Sequence, residues 1–429
     1  MSNGSRSFWK SFGPGLLFAG AAVGVSHLVQ STRAGAGYGV ALIGVVLLAN
    51  ALKYPAFRFG SQYAAATGTS LLEGYRRQGR LALWLYAALT VATMFTVAAA
   101  VTVVTAGLAG VILGVKGHPV LLSAGLLAIC AALLAVGRYA WLDRVIKVVV
   151  AGLTVSTLAA AALALPSLNL SHARWWPDLS TLQARDIGFL AALVGWMPSA
   201  VDVAVWQSLW TLARRDASEG RRDAPMDVRS VILDFDIGYV GTALLAVCFV
   251  LLGAAVMHGK GIEPAPTAGG FAAQVITLYA STLGEWARPI IAVAAFAVMF
   301  STTLTVVDGF PRALAVLVQR FRSAERPGEV DLEQGQGRRA YWIALALLAV
   351  GSLVVLSTLL ASLASLVDLA TTLSFLTAPA LAWLNHRAIT AVEVPPAARP
   401  GPLLRAASWL GIFFLGAFAA AYLWMRLSA

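Results

Sequence analysis

Gly24-Val25-Ser26-His27-Leu28-Val29-Gln30-Ser31-Thr32-Arg33 lies inside the first long hydrophobic stretch and interrupts it twice, at 24–27 and at 30–33, with small and polar residues. Gly195-Trp196-Met197-Pro198-Ser199 interrupts the sixth such stretch. Irregular backbone at membrane depth is tolerated only where protein or a cavity meets its N–H and C=O groups. Two broken helices five spans apart mark the substrate site of transporters built from inverted five-helix repeats. The reading outward from these residues is therefore an all-α polytopic membrane protein that transports.

Composition agrees. Of 429 residues, 59% are hydrophobic and 12% charged, and the mean hydropathy is +0.78. So much apolar surface belongs in a bilayer. The net charge of +11 would suggest nucleic acid in a soluble chain, but here the basic residues sit in the loops of one side. No nucleic-acid partner is expected; the bilayer itself is the partner. Cys130 and Cys248 both lie in apolar runs, which argues against a disulfide framework or a thiolate metal cluster. No nucleophile motif, nucleotide loop or spaced His/Glu cluster points to an enzyme.

About 20 apolar residues cross about 30 Å of hydrocarbon. Eleven stretches qualify: 14–34, 38–66, 81–114, 119–137, 142–165, 187–212, 231–257, 287–318, 340–359, 361–385 and 403–427. They form one transmembrane domain over residues 1–429, with repeat one at about 14–165, repeat two at about 187–385 and an additional helix at 403–427. Ser5-Arg6-Ser7-Phe8-Trp9-Lys10 reads as a short polar lead into a retained first span. Arg76, Arg77, Arg80, Arg138, Arg144, Arg214, Arg215, Arg229, Arg320, Arg338 and Arg387 fall on one side. The positive-inside rule then places the N-terminus in the cytoplasm and the C-terminus outside, in a cell inner membrane. Residues 213–230 and 321–339 read as polar linkers. Residues 258–286 hold an amphipathic segment, Phe271 to Leu283, expected to lie on the membrane surface.

Gly13-Pro14-Gly15-Leu16-Leu17, Ala34-Gly35-Ala36-Gly37-Tyr38-Gly39, Leu47-Leu48-Ala49-Asn50 and Ala66-Thr67-Gly68-Thr69-Ser70-Leu71-Leu72-Glu73 resemble the NRAMP family of metal-ion transporters. Met197-Pro198 and Ser301-Thr302-Thr303-Leu304-Thr305 fit the same family. The resemblance implies a LeuT-type fold, a 5+5 inverted repeat plus an eleventh helix. It departs from the family at the metal site. Where the family has Asp-Pro-Gly-Asn, this chain has Gly24-Val25-Ser26-His27, and Ser199 replaces the His of Met-Pro-His. A thioether without an anionic partner is a poor site for a hard or borderline divalent cation.

What remains at the breaks are donors. Helix ends leave free N–H groups and positive dipole ends. Ser26, Ser31, Thr32 and Ser199 add hydroxyls, and Arg33 adds a cation. The expected substrate-binding set is Gly24, Ser26, His27, Ser31, Thr32, Arg33, Trp196, Met197, Ser199 and Asp202. Arg33 also admits a reading as an interfacial anchor, His27 as a packed core residue, and Pro198 as a helix breaker alone. Asp202, Asp308 and Asp368 are intramembrane carboxylates, for which Lys53, Arg58 and Arg312 are the available counter-charges. By resemblance to LeuT-type carriers, hydroxyls of the eighth span hold a coupling sodium ion against carbonyls of the broken first helix. The ion-coupling set is Ser301, Thr302, Thr303 and Asp308; hydroxyls that merely bond back to their own helix are the competing reading.

The expected function is secondary active transport of a small inorganic anion; resemblance to an NRAMP-related branch that lacks the metal motifs and looks like bicarbonate carriers implies bicarbonate, with sodium-coupled uptake as the expected mode. No cofactor is expected beyond Na+ as coupling ion, and no transition metal. The alternative is a divalent cation, Mg2+ or Mn2+, carried in the NRAMP manner. A small organic solute is a third class that a fold alone does not exclude.

Overall fold

The computed structural model describes residues 14–115, 117–136, 140–168, 174–219, 226–322 and 335–428. The polar lead at 5–10 and the linker residues 220–225 and 323–334 lie outside the described residues. Every regular element among those described is helical. The first span comprises Pro14–Ala22, a bend at 23–24, a π-helical segment Ser26–Ser31 and a short helix Thr32–Tyr38. The second to fifth spans are Ile43–Thr67, Arg80–Leu113, Pro119–Val136 and Ala140–Ala164. The sixth is again two helices, Ala184–Trp196 and Val203–Glu219. Val228–Val256, Arg288–Arg322, Gly335–Leu359, Leu363–Thr390 and Pro402–Ser428 complete the set. Seven helices among the described residues are long and apolar enough to cross a membrane unaided. The others are the two broken spans, the second, which carries Lys53 and Arg58, and the fifth.

Lipid tails are as apolar as leucine, so helices associate in a bilayer through close packing rather than hydrophobic burial. The first span packs on the seventh in this way at both of its ends. A Cβ on Gly35 would lie 2.1 Å from the Val250 carbonyl oxygen, and one on Gly253 2.3 Å from that of Thr32. At the other end, a Cβ on Gly15 would meet the Asp234 carbonyl oxygen at 2.0 Å. Phe18 adds ring contacts to Phe57, Phe235 and Tyr239, and the Tyr239 hydroxyl donates to the Asn50 carbonyl at 2.6 Å. The seventh span thus holds both halves of the first, leaving the break between them.

The breaks differ slightly from the expected residues. In the first span the chain bends at 23–24 and then widens into the π-helical segment, a form that recurs at functional sites. Gly24 permits the bend because Thr302 of the eighth span sits against it; a Cβ there would fall 2.7 Å from the Thr302 methyl. In the sixth span Gly195 and Trp196 remain helical and the non-helical stretch is 197–202. Gly195 serves packing instead: a Cβ would lie 2.1 Å from the Thr371 carbonyl oxygen of the tenth span. Pro198, which has no N–H to continue the ladder, ends the helix.

Phe271 to Leu283 does form a helix, Ala268–Leu283. Its apolar face does not lie on the membrane surface as expected. Phe271, Val275, Ile276 and Tyr279 are buried in the protein, and the Tyr279 hydroxyl is 2.6 Å from that of Thr157 in the fifth span.

Candidate functional site

The two breaks meet. Ser31 Oγ lies 3.8 Å from the Met197 sulfur and 3.2 Å from the Ser26 carbonyl oxygen. Ser26, His27, Ser31, Thr32 and Met197 are all buried, so the meeting point is closed to both sides. The expected residues distribute around it unequally.

His27 turns to the seventh span. Its Nε2 donates to the Thr242 carbonyl at 2.9 Å, since a carbonyl can only accept. Its Nδ1 faces Ser26 Oγ at 2.7 Å, and that oxygen lies 2.5 Å from the Ala22 carbonyl oxygen. Trp196 donates to Ser374 of the tenth span at 2.8 Å. The Thr32 hydroxyl is buried without a hydrogen-bond partner among the described residues. Asp202 closes the sixth-span break; its carboxyl oxygens are buried with no hydrogen-bond partner among the described residues, within electrostatic reach of Tyr75 and Tyr86.

Arg33 is paired, not the free cation expected from the sequence. Its guanidinium forms a bidentate pair with Asp368 of the tenth span at 2.6 and 2.9 Å, donates to Gln30 Oε1 at 2.7 Å and lies over the Phe189 ring at 5.1 Å. Gln30 in turn donates to Asp368 and Thr371. The pair lines a cavity of about 850 Å³ shared by Tyr38, Asp186 and Arg426. It therefore joins the first, sixth and tenth spans between that cavity and the breaks. A second cavity of about 1570 Å³ opens at the opposite ends of the spans and is lined by Arg58, Arg215, Arg229 and Arg399.

This geometry carries an expected outcome. Arg33→Gln and Asp368→Asn should each reduce uptake by a similar factor, and the double variant should be no worse than either, because paired groups are strongly non-additive. If Arg33 instead sensed substrate charge directly, Arg33→Gln alone would lose uptake and Asp368→Asn would be mild. Uptake by the three variants in proteoliposomes decides.

The coupling set separates as well. The Thr302 hydroxyl lies 2.8 Å from the Gly20 carbonyl oxygen and 3.4 Å from that of Val23, beside the first-span bend. Ser301 Oγ faces Gly20. Thr303 does not join them. Its hydroxyl is 2.7 Å from that of Thr105 in the third span and 3.0 Å from the Met299 carbonyl oxygen. Asp308 is also elsewhere, in a bidentate pair with Arg312 at 3.0 Å and hydrogen-bonded to Tyr341 at 2.8 Å. Neither lies in the expected cluster: Thr303, next to Thr302, points to a different face of the helix, and Asp308 lies about two turns further along it than Ser301.

Lys53 is the group the sequence reading undervalued. Its side chain is fully buried. Nζ donates to the carbonyl oxygens of Val194, Gly195 and Ser199 at 3.0, 2.8 and 2.8 Å, that is, to the end of the first half of the sixth span and to the break itself. A lysine in the middle of an apolar span was the available signal.

Among the described residues, no three His, Cys, Asp or Glu side chains are grouped as a metal site. The sequence matches the Nramp family, natural resistance-associated macrophage protein-like, over residues 15–425. It is 36% identical over 394 residues to an uncharacterised protein of Pasteurella multocida, covering 89% of this chain and 86% of that one. Its fold is similar to that of a mutant of the Eremococcus coleocola manganese transporter, with a TM-score of 0.63, 15% identity and coverage of 98% and 87%. It is similar also to MhsT in complex with L-phenylalanine, with a TM-score of 0.59, 14% identity and coverage of 96% and 97%. The nucleobase-cation-symport-1 transporter Mhp1 follows with a TM-score of 0.56, 12% identity and coverage of 96% and 90%.

Proposed function

The chain belongs to the Nramp family of membrane transporters, and from that premise we propose that it is a secondary active transporter of a small inorganic anion, with sodium-coupled bicarbonate uptake as the best assignment. The observation that carries the reading is the charge at the two breaks. Hydroxyls, an imidazole and the buried Lys53 ammonium gather there beside one carboxylate, Asp202, while the carboxylates of Asp308 and Asp368 are each held by an arginine. Donors and positive charge suit an oxyanion, whose oxygens accept hydrogen bonds.

Sodium coupling is supported by Thr302 beside the Gly20 and Val23 carbonyls. Oxygen ligands without a carboxylate suit a hard monovalent cation. Moving an anion into a negative interior costs about 2.3 kcal/mol per charge per 100 mV, which an inward sodium gradient offsets. We place the basic loops and the N-terminus in the cytoplasm and the C-terminus outside, by the positive-inside rule. The Arg33–Asp368 pair then closes the outer path, and the arginine-lined cavity is the inner exit.

The alternative is a divalent cation, Mn2+ or Mg2+. Asp202 at the end of the sixth-span break favours it, as does the fold likeness to a manganese transporter. Paired uptake of labelled bicarbonate and manganese into proteoliposomes, with and without sodium, tests the two readings against each other.

A further inference from the structure

We propose that Lys53 is a tethered cation that occupies a cation site made by the broken sixth span, and that it thereby fixes the charge class of what the transporter accepts. This deepens the anion reading and rests on it for the substrate, but not for the site itself.

Three observations carry it. The Val194, Gly195 and Ser199 carbonyl oxygens all lie within 3.0 Å of Nζ. Three acceptors around one nitrogen need three N–H donors; an ammonium has three, whereas a neutral amine has two and would turn a lone pair toward the third oxygen. The group is therefore held as the cation. Unwound carbonyls and half-helix C-terminal ends are also the groups with which broken transporter helices coordinate free cations, and the half-dipole there is negative. Lys53 comes from the second span, between residues packed on the sixth, so the cation is covalently fixed where a free ion would otherwise sit. Phe57, one turn on, places its ring 5.8 Å from Nζ, a further cation-favouring contact.

Two consequences follow. The carbonyls of the sixth-span break are taken, so a transported metal ion has no use of them. A fixed positive charge stands at the sixth-span break with no carboxylate in hydrogen-bond contact, so it attracts an anion and repels a cation. Asp202, five residues beyond Met197, is the nearest carboxylate in sequence and makes no hydrogen bond to Lys53.

Lys53→Ala removes the three outer methylenes and the ammonium, the shape of n-propylammonium, and tests the proposal by chemical rescue. The purified variant is expected to melt several degrees below the unsubstituted protein. n-Propylammonium chloride should raise its melting temperature saturably, while 1-propanol and tetramethylammonium chloride at equal concentration should not; the unsubstituted protein should respond to none of them. In proteoliposomes the same amine should recover bicarbonate uptake that the variant has lost by roughly tenfold or more. Lys53→Met, which keeps the volume without the charge, should lose uptake and show no rescue. Melting that responds equally to 1-propanol overturns the proposal. So does a Lys53→Met protein with unchanged uptake, or failure of Lys53→Ala to assemble with n-propylammonium present throughout expression and purification. If melting is rescued but no bicarbonate uptake exists in any form, the cation site stands and the substrate assignment fails.

Discussion

Gly35→Leu is expected to abolish recovery of folded protein. An ideal Cβ at Gly35 would lie 2.1 Å from the Val250 carbonyl oxygen and 2.7 Å from the Ala254 nitrogen of the seventh span. Those are backbone atoms of a helix, so no side chain can rotate aside; the two helices must separate. Overpacking against side chains already costs about 1–3 kcal/mol, and here the first span would lose one of its two close approaches to the seventh. Gly37→Leu is the control, because a Cβ at Gly37 meets nothing within 4 Å. Monodisperse yield by fluorescence-detected size exclusion should fall to background for Gly35→Leu and stay near normal for Gly37→Leu. Equal yields would mean that the first span is not seated on the seventh through this contact.

The second large effect concerns coupling. Thr302→Val keeps shape and removes the hydroxyl that meets the Gly20 and Val23 carbonyls. The sodium concentration for half-maximal uptake should rise roughly tenfold or more, the scale of about one lost hydrogen bond to a charged group. Thr303→Val should leave it nearly unchanged, because that hydroxyl faces Thr105. Titrating sodium against choline at constant ionic strength separates the two. Identical sodium dependence in both variants would remove the eighth span from coupling; uptake indifferent to choline would remove sodium altogether.

The breaks were legible because glycine, proline and polar side chains are conspicuous in an apolar run. Their limits were less so. Gly195 looked like part of the interruption, but its lack of a Cβ answers to the tenth span, which no local pattern reveals. Thr302 and Thr303 are indistinguishable in sequence; about 100° of rotation per residue sends them to different neighbours, and only the packing says which. Arg33 read as a free cation because Asp368 is 335 positions away, and pairing across that distance leaves no trace in one sequence. Lys53 was visible as an intramembrane charge, yet its partners are backbone carbonyls, which carry no side-chain signature.

The central claim is that this Nramp-family chain carries an anion where a metal ion is expected. It is tested most directly by paired uptake in sodium-gradient proteoliposomes, with labelled bicarbonate in one arm and manganese in the other. The account predicts saturable bicarbonate uptake that collapses when choline replaces sodium, and manganese uptake no greater than in empty vesicles. Saturable manganese transport with no bicarbonate uptake would contradict it, and Asp202 would then be the first residue to examine as a ligand.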